Sequence, residues 1–280
     1  MAKARRFSPG GLVLRASLAL SMLSCGESDG PIAPAIDGVA IFGVTLDNRL
    51  VLFGSAAPGT IVSEMPISGL PAGRRIVSID FRPSDGQLYG AGTDNRLYRI
   101  NVNTAIAAGV GSGFTTALEG THFGFAFDPV ADRIRTSSAE GDQNFRLNPT
   151  DGTLTATDSD FAFSAGDPNL GDAPALAALA YTNSVAGAGS TVLYGIDSGN
   201  DVLVTLTNPN SGVLRTVGGL GFNTVPCASL DIDARDGRAW ATLADNGTTR
   251  LYSIDLATGR ATLVGVVDVD SEVQGLAIRP

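Results

Sequence analysis

The chain has 280 residues, 44% hydrophobic and 17% charged, which is enough apolar material for a large core and too ordered a composition for a disordered chain. Its formal net charge is −9, and its single lysine, Lys3, lies in a start that carries four basic residues and no acid before Cys25. So acidic a chain has no cationic stripe for nucleic acid, and beyond the start it has no lysine for a Walker-type phosphate loop or a Schiff base.

Residues 1–25 read as an export signal. Lys3, Arg5 and Arg6 give the charged start, and an apolar stretch runs from Leu12 to Leu20 with Arg15 inside it. That stretch is too short to span a membrane as a helix. Met22-Leu23-Ser24-Cys25 resembles a bacterial lipoprotein signal, in which the cysteine becomes the lipidated first residue. Cys25 is therefore the expected lipid site, and the membrane is engaged only through that anchor. The expected location is the cell envelope, facing the periplasm or the cell surface, or the medium if Cys25 is not lipidated. Without the first 24 residues the chain holds 15 basic and 28 acidic residues, a charge of −13. Residues 26–38 mix Gly, Pro and acid without a period, which describes a flexible tether, and 39–280 reads as one domain.

Within that domain one cycle recurs five times: an apolar strand, a tight turn, a second strand, a polar turn and a third strand. The first strands are Ile79-Asp80-Phe81, Phe125-Ala126-Phe127, Leu179-Ala180-Tyr181, Leu230-Asp231-Ile232 and Leu276-Ala277-Ile278, with last residues 46, 54, 51 and 46 apart. A period of this size predicts an all-β, five-bladed β-propeller, one blade per cycle. Large residues alternate with small ones along these strands, as close packing of neighbouring blades requires. Asp47-Asn48-Arg49-Leu50 returns as Asp94-Asn95-Arg96-Leu97, which sets the phase. The last cycle stops after one strand, and its remaining strands stand at the other end as Ile41-Phe42-Gly43, Arg49–Phe53 and Ile61–Pro66. The terminal strands are therefore expected to pair in one blade and close the ring.

Three stretches resemble a family of exported bacterial proteins known as domain of unknown function 4394. They are Phe123-Gly124-Phe125-Ala126-Phe127-Asp128-Pro129 through Asp132-Arg133-Ile134-Arg135, then Asn144-Phe145-Arg146-Leu147-Asn148-Pro149, and Ala165-Gly166-Asp167-Pro168-Asn169 through Pro174. The resemblance implies an exported propeller-like domain and brings no activity or catalytic residues with it.

Chemistry-bearing residues are few. Asp80 and Asp231 are the inner-strand carboxylates, and with His122, the only histidine, they are the candidates for a channel mouth. The plainer reading of the aspartates is hydrogen bonding to backbone N–H groups near the axis. Asp158, Asp160, Asp167, Asn169 and Asp172 form the densest oxygen-donor run, on a loop longer than its equivalents, and make calcium a possible cofactor there. Cys227 opens an inner strand and reads as a buried small residue. No nucleophile elbow, zincin or dinucleotide motif occurs. The expected function is a monomeric binding or interaction module for a protein, glycan or small ligand. A metal-dependent hydrolase or lyase at the channel mouth is the alternative, and a structural envelope component is a third.

Overall fold

A computed structural model describes Met1 and residues 34–280, so the expected export signal with Cys25, and the tether up to residue 33, lie outside the described residues. Among those residues, twenty-one strands form five separate sheets. β1 (Ala40–Thr45), β2 (Arg49–Gly54) and β3 (Ala57–Pro66) belong to the first. β4 (Ile76–Phe81), β5 (Leu88–Gly92), β6 (Arg96–Ile100) and β7 (Ala107–Val110) form the second. β8 (Phe123–Asp128), β9 (Arg133–Ser138), β10 (Asn144–Leu147) and β11 (Leu154–Thr157) form the third. β12 (Ala162–Phe163) precedes β13 (Leu176–Tyr181), β14 (Leu193–Asp197), β15 (Val202–Leu206) and β16 (Val213–Gly219), and joins them in the fourth. β17 (Ala228–Ile232), β18 (Ala239–Asp245), β19 (Thr248–Ile254) and β20 (Ala261–Val266) form the fifth. β21 (Val273–Ile278) returns to the first sheet, whose order is β21-β1-β2-β3.

The molecule is thus a five-bladed β-propeller closed by its terminal strands. The closing pair is antiparallel, with Ile278 opposite Ile41, Ala277 opposite Phe42 and Leu276 opposite Gly43. The five inner strands β4, β8, β13, β17 and β21 touch one another in cyclic order. Their small residues face the next blade at close range. A Cβ on Gly124 would lie 2.6 Å from Leu179 Cγ, and one on Gly275 would lie 2.9 Å from Ser78 Cα. Contacts that short leave room for a hydrogen only, so glycine at these two sites is a packing requirement.

The repeated Asp-Asn turn also has a mechanical reason. Asn48, Asn95 and Asp201 adopt positive φ in the turn between the second and third strands of their blades, a conformation these residue types tolerate. Each side chain then accepts an N–H from the chain entering the following blade: Ile76 on Asn48 at 2.9 Å, Leu118 on Asn95 at 3.0 Å, Thr224 on Asp201 at 2.5 Å. One position of the repeat both turns the hairpin and pins the next blade's entry.

The long acidic loop holds a feature that strand alternation does not reveal. Phe161 and Phe163 are buried between the acidic residues, and Ala162–Phe163 pairs parallel to Val213–Leu214 as an extra outer strand of the fourth blade. Two residues are too few to show a period, so only the isolated pair of phenylalanines marks it. Among the described residues no helix is long and apolar enough to cross a membrane.

Candidate functional site

Asp80 and Asp231 stand one residue before the ends of β4 and β17. Arg82 and Asp233 send their N–H groups to the ladder side, to Gln87 and Arg238 carbonyls, so Phe81 and Ile232 turn theirs to the free inner edge. The carboxylates meet them there. Asp80 accepts from Phe81 N at 2.7 Å and from Phe127 N, on the next inner strand, at 2.6 Å. Asp231 accepts from Ile232 N at 2.7 Å and from Ile278 N at 2.6 Å. Each aspartate therefore clasps two adjacent blades through the orphan donors of their inner edges. Both are buried. Burial, with the charge of Asp231 behind it, pushes Asp80 well above the ordinary carboxylate range, and burial pushes Asp231 up to about 7.

The axis beside them is nearly filled. Ser78, Gly124, Ala178, Ser229 and Leu276 border a void of about 10 Å³, which is room for about one water molecule.

His122 lies just before β8, on the opposite end of the ring from the turn that follows Asp80. Its Nδ1 is 2.9 Å from Glu140 Oε1 and 2.9 Å from Thr121 Oγ1, and that hydroxyl donates to Glu140 at 2.8 Å. Burial works against the charge, yet hydrogen bonds from His122 and Thr121 hold Glu140 below its usual range. The triangle orients an imidazole at the surface. Among the described residues no serine or cysteine side chain hydrogen-bonds to the imidazole in the manner of a triad.

The acidic run disperses. Asp158 accepts from Arg135 Nη1 at 2.9 Å and from Arg146 Nε and Nη2 at 2.8 Å each. Asp167 accepts from the backbone and hydroxyl of Thr216 at 2.7 Å each, and Asn169 donates to the same hydroxyl at 2.9 Å. Asp160 and Asp172 are exposed. Among the described residues no three acidic, histidine or cysteine side chains are grouped to hold a metal ion. Cys227 is buried, with Sγ 3.7 Å from the Val273 carbonyl, and burial pushes its thiol up to about 12. A thiol so placed is inert.

Arg135, which sequence reading passes over, is the largest of the fully buried side chains. Besides Asp158 it reaches the Tyr181 hydroxyl at 3.1 Å, Asn210 at 2.6 Å and Asn144, so one guanidinium ties the third blade to the fourth. The available signal was the run Thr136-Ser137-Ser138 with Asn144: polar residues at strand positions where a blade is buried on both faces.

Open space lies on the rim. At the end of the ring where the inner strands finish, the second blade carries a cleft of about 680 Å³, a volume typical of small-molecule sites. It lies between the turn after β4, the turn after β6 and Arg279. Arg99 and Arg279 line it, and no carboxylate does. Gln87, Asn103 and Thr104 add polar groups, and Ile106 presents an apolar side chain that is 54% exposed. The Arg279 guanidinium stands over the Phe42 and Phe81 rings, 5.8 and 5.4 Å from their centres. A second opening of about 620 Å³ on the fifth blade is bordered by Phe222, Asp255 and Arg260.

Comparison with known proteins gives a family and a fold. The family model described as a domain of unknown function (DUF4394) matches residues 49–277, and the chain belongs to that family. No curated protein matches. Among solved structures, the nidogen/laminin complex contains a chain 12% identical, with a TM-score of 0.51, covering 87% of this chain and 99% of that one. A protein of unknown function from Bacteroides caccae is 10% identical over 87% of this chain and 100% of its own, with a TM-score of 0.44. Kuenenia stuttgartiensis hydrazine synthase is 14% identical, with a TM-score of 0.42 over 71% of this chain; the match spans 50% of the synthase chain, about half its length. At 12% identity the likeness to the chain of the nidogen/laminin complex is one of fold alone.

Proposed function

We propose that this DUF4394 member is a binding module whose ligand, a glycan, small molecule or protein segment, sits on the rim of the ring, and that it is not a catalyst at its axis. The observation that supports this most is the contrast between the two places. Both axial carboxylates spend their oxygens on backbone donors beside a void of about 10 Å³, whereas the second blade opens a cleft of about 680 Å³ lined by side chains without carboxylate partners. The alternative of a hydrolase or lyase draws its support from the Thr121–His122–Glu140 triangle, which presents an oriented imidazole without a nucleophile.

A thermal-shift panel of neutral sugars, sugar acids and lactones, with product analysis of every hit, separates the readings. A binder held at a hundredfold its Kd stabilises the fold by about 2.7 kcal/mol. Hits recovered unchanged are expected. Products that form with the wild type and vanish with His122→Ala would replace the binding reading with the enzyme. Delivery to the envelope by a lipid on Cys25 is part of the same proposal, supported by the charged start, the apolar stretch and Met22-Leu23-Ser24-Cys25. Radiolabelled palmitate should mark the wild type and not Cys25→Ala, and equal labelling of both would reject the anchor.

A further inference from the structure

The end of the inner strand is the same in two consecutive blades, Ile278-Arg279-Pro280 in the first and Phe81-Arg82-Pro83 in the second. At the joint from the second blade to the third, the arginine is answered by a carboxylate. Arg82 Nε and Nη2 donate to Asp132 Oδ1 and Oδ2 at 2.8 and 2.5 Å. The geometry is a two-pronged fork on a carboxylate, the pairing that guanidinium favours. Asp132 stands in a turn of defined shape: its φ is +50°, and its N–H returns to the Asp128 carbonyl at 2.9 Å.

The second blade makes the same turn. Gly86 has φ +66°, and its N–H returns to the Arg82 carbonyl at 2.8 Å. The joint from the first blade to the second therefore has the arginine, Arg279, and the turn, but a glycine where the carboxylate stands in the other joint. Arg279 forms no ion pair with any described residue; it rests on two aromatic rings, and it borders the 680 Å³ cleft together with Gly86. Arg99 borders the cleft as well, but it pairs across the ladder with Tyr89, on the face that carries Arg82 and Asp85, and borders a smaller opening with them. A guanidinium without a carboxylate, on a chain whose charge beyond residue 24 is −13, makes a local site of reversed sign.

We propose that this cleft binds the carboxylate of a polyhydroxylated acid of the uronic-acid type, which docks on Arg279 as Asp132 docks on Arg82. The proposal rests on rim binding and names its ligand class. Gln87, Asn103 and Thr104 offer donors and acceptors for ring hydroxyls, and Ile106 offers an apolar contact for the C–H face of the sugar. The internal template is a carboxylate, that of Asp132 on Arg82, and it is this template that names the acid; a guanidinium also forks onto phosphate, which phosphate binding tests.

Calorimetry on the purified protein with galacturonate, galactose and inorganic phosphate tests this. Galacturonate is expected to bind at least tenfold more tightly than galactose or phosphate, and Arg279→Gln to weaken it at least tenfold. Gly86→Asp is the sharper variant, because nothing lies within 4 Å of a Cβ built there and Asp132 shows that aspartate adopts this turn. The new carboxylate should clasp Arg279 from within, lowering galacturonate affinity at least tenfold, with a melting temperature within a few degrees of the wild type because the strain of a side chain at this positive φ offsets the new ion pair. Galactose binding as tightly as galacturonate would overturn the acid specificity and leave rim binding standing. Equal binding of phosphate, no galacturonate heat at millimolar concentration, or an unchanged affinity in Gly86→Asp would each overturn the proposal.

Discussion

A carboxylate taken out of water needs its charge answered, and Asp80 and Asp231 have only backbone N–H groups to answer it. Burial outweighs those bonds, so both carboxyls hold protons more tightly in the folded chain than in the unfolded one, where a carboxyl titrates near about 4. The stability this contributes is complete below that unfolded value and is lost as pH rises through the folded value, which for Asp231 is about 7. Between pH 4.5 and 7 Asp231 alone should make the wild type lose up to roughly 1.4 kcal/mol per pH unit. In Asp231→Asn that slope should shrink, since the variant neither titrates there nor raises Asp80. Denaturant melts across this range check it, and an identical slope in both proteins would show that the axial acids are ionised throughout. The sequence made both residues visible as inner-strand carboxylates. Which N–H groups they take depends on the offset between neighbouring inner strands, which no single strand encodes.

At the scale of elements, what was legible is what repeats. Inner strands show themselves by large residues alternating with small ones, as in Phe123–Phe127, and hairpins by an Asn or Asp at positive φ, as at Asn48 and Asn95. Elements without a period stayed hidden. β7 is Ala107–Val110, an outer strand of small residues, and β12 is two residues within an acidic stretch. Arg135 was hidden for another reason. In a strand read as Arg133-Ile134-Arg135, alternation sets both arginines on the same face, and nothing local says that Tyr181, Asn144, Asp158 and Asn210 converge to enclose the second. Its partners come from other strands and from the next blade. The acidic run was legible as oxygen donors, but a guanidinium pair and Thr216 take up Asp158 and Asp167 at separate places.

The propeller joins β1 and β21 in one blade and sets its five inner strands around an axis that holds a void of about 10 Å³. The repeat period and the copy of Ile79–Pro83 at Leu276–Pro280 made this architecture readable from the chain. The rim cleft was not readable blade by blade, because its character comes from a break in the repeat: Gly86 in one turn, Asp132 in the equivalent turn of the next. In this molecule the carboxylates beside the axis belong to the frame, each held by two backbone N–H groups. Amide hydrogen exchange at Phe127 and Ile278 addresses it most directly, since those two N–H groups are the ones that Asp80 and Asp231 hold across blade boundaries. Protection equal to that of the slowest core amides, lost only with global unfolding, is the expected result. Exchange as fast as that of the exposed turns would mean that water reaches the axis and that both carboxylates are free to act on a ligand, which would contradict the account.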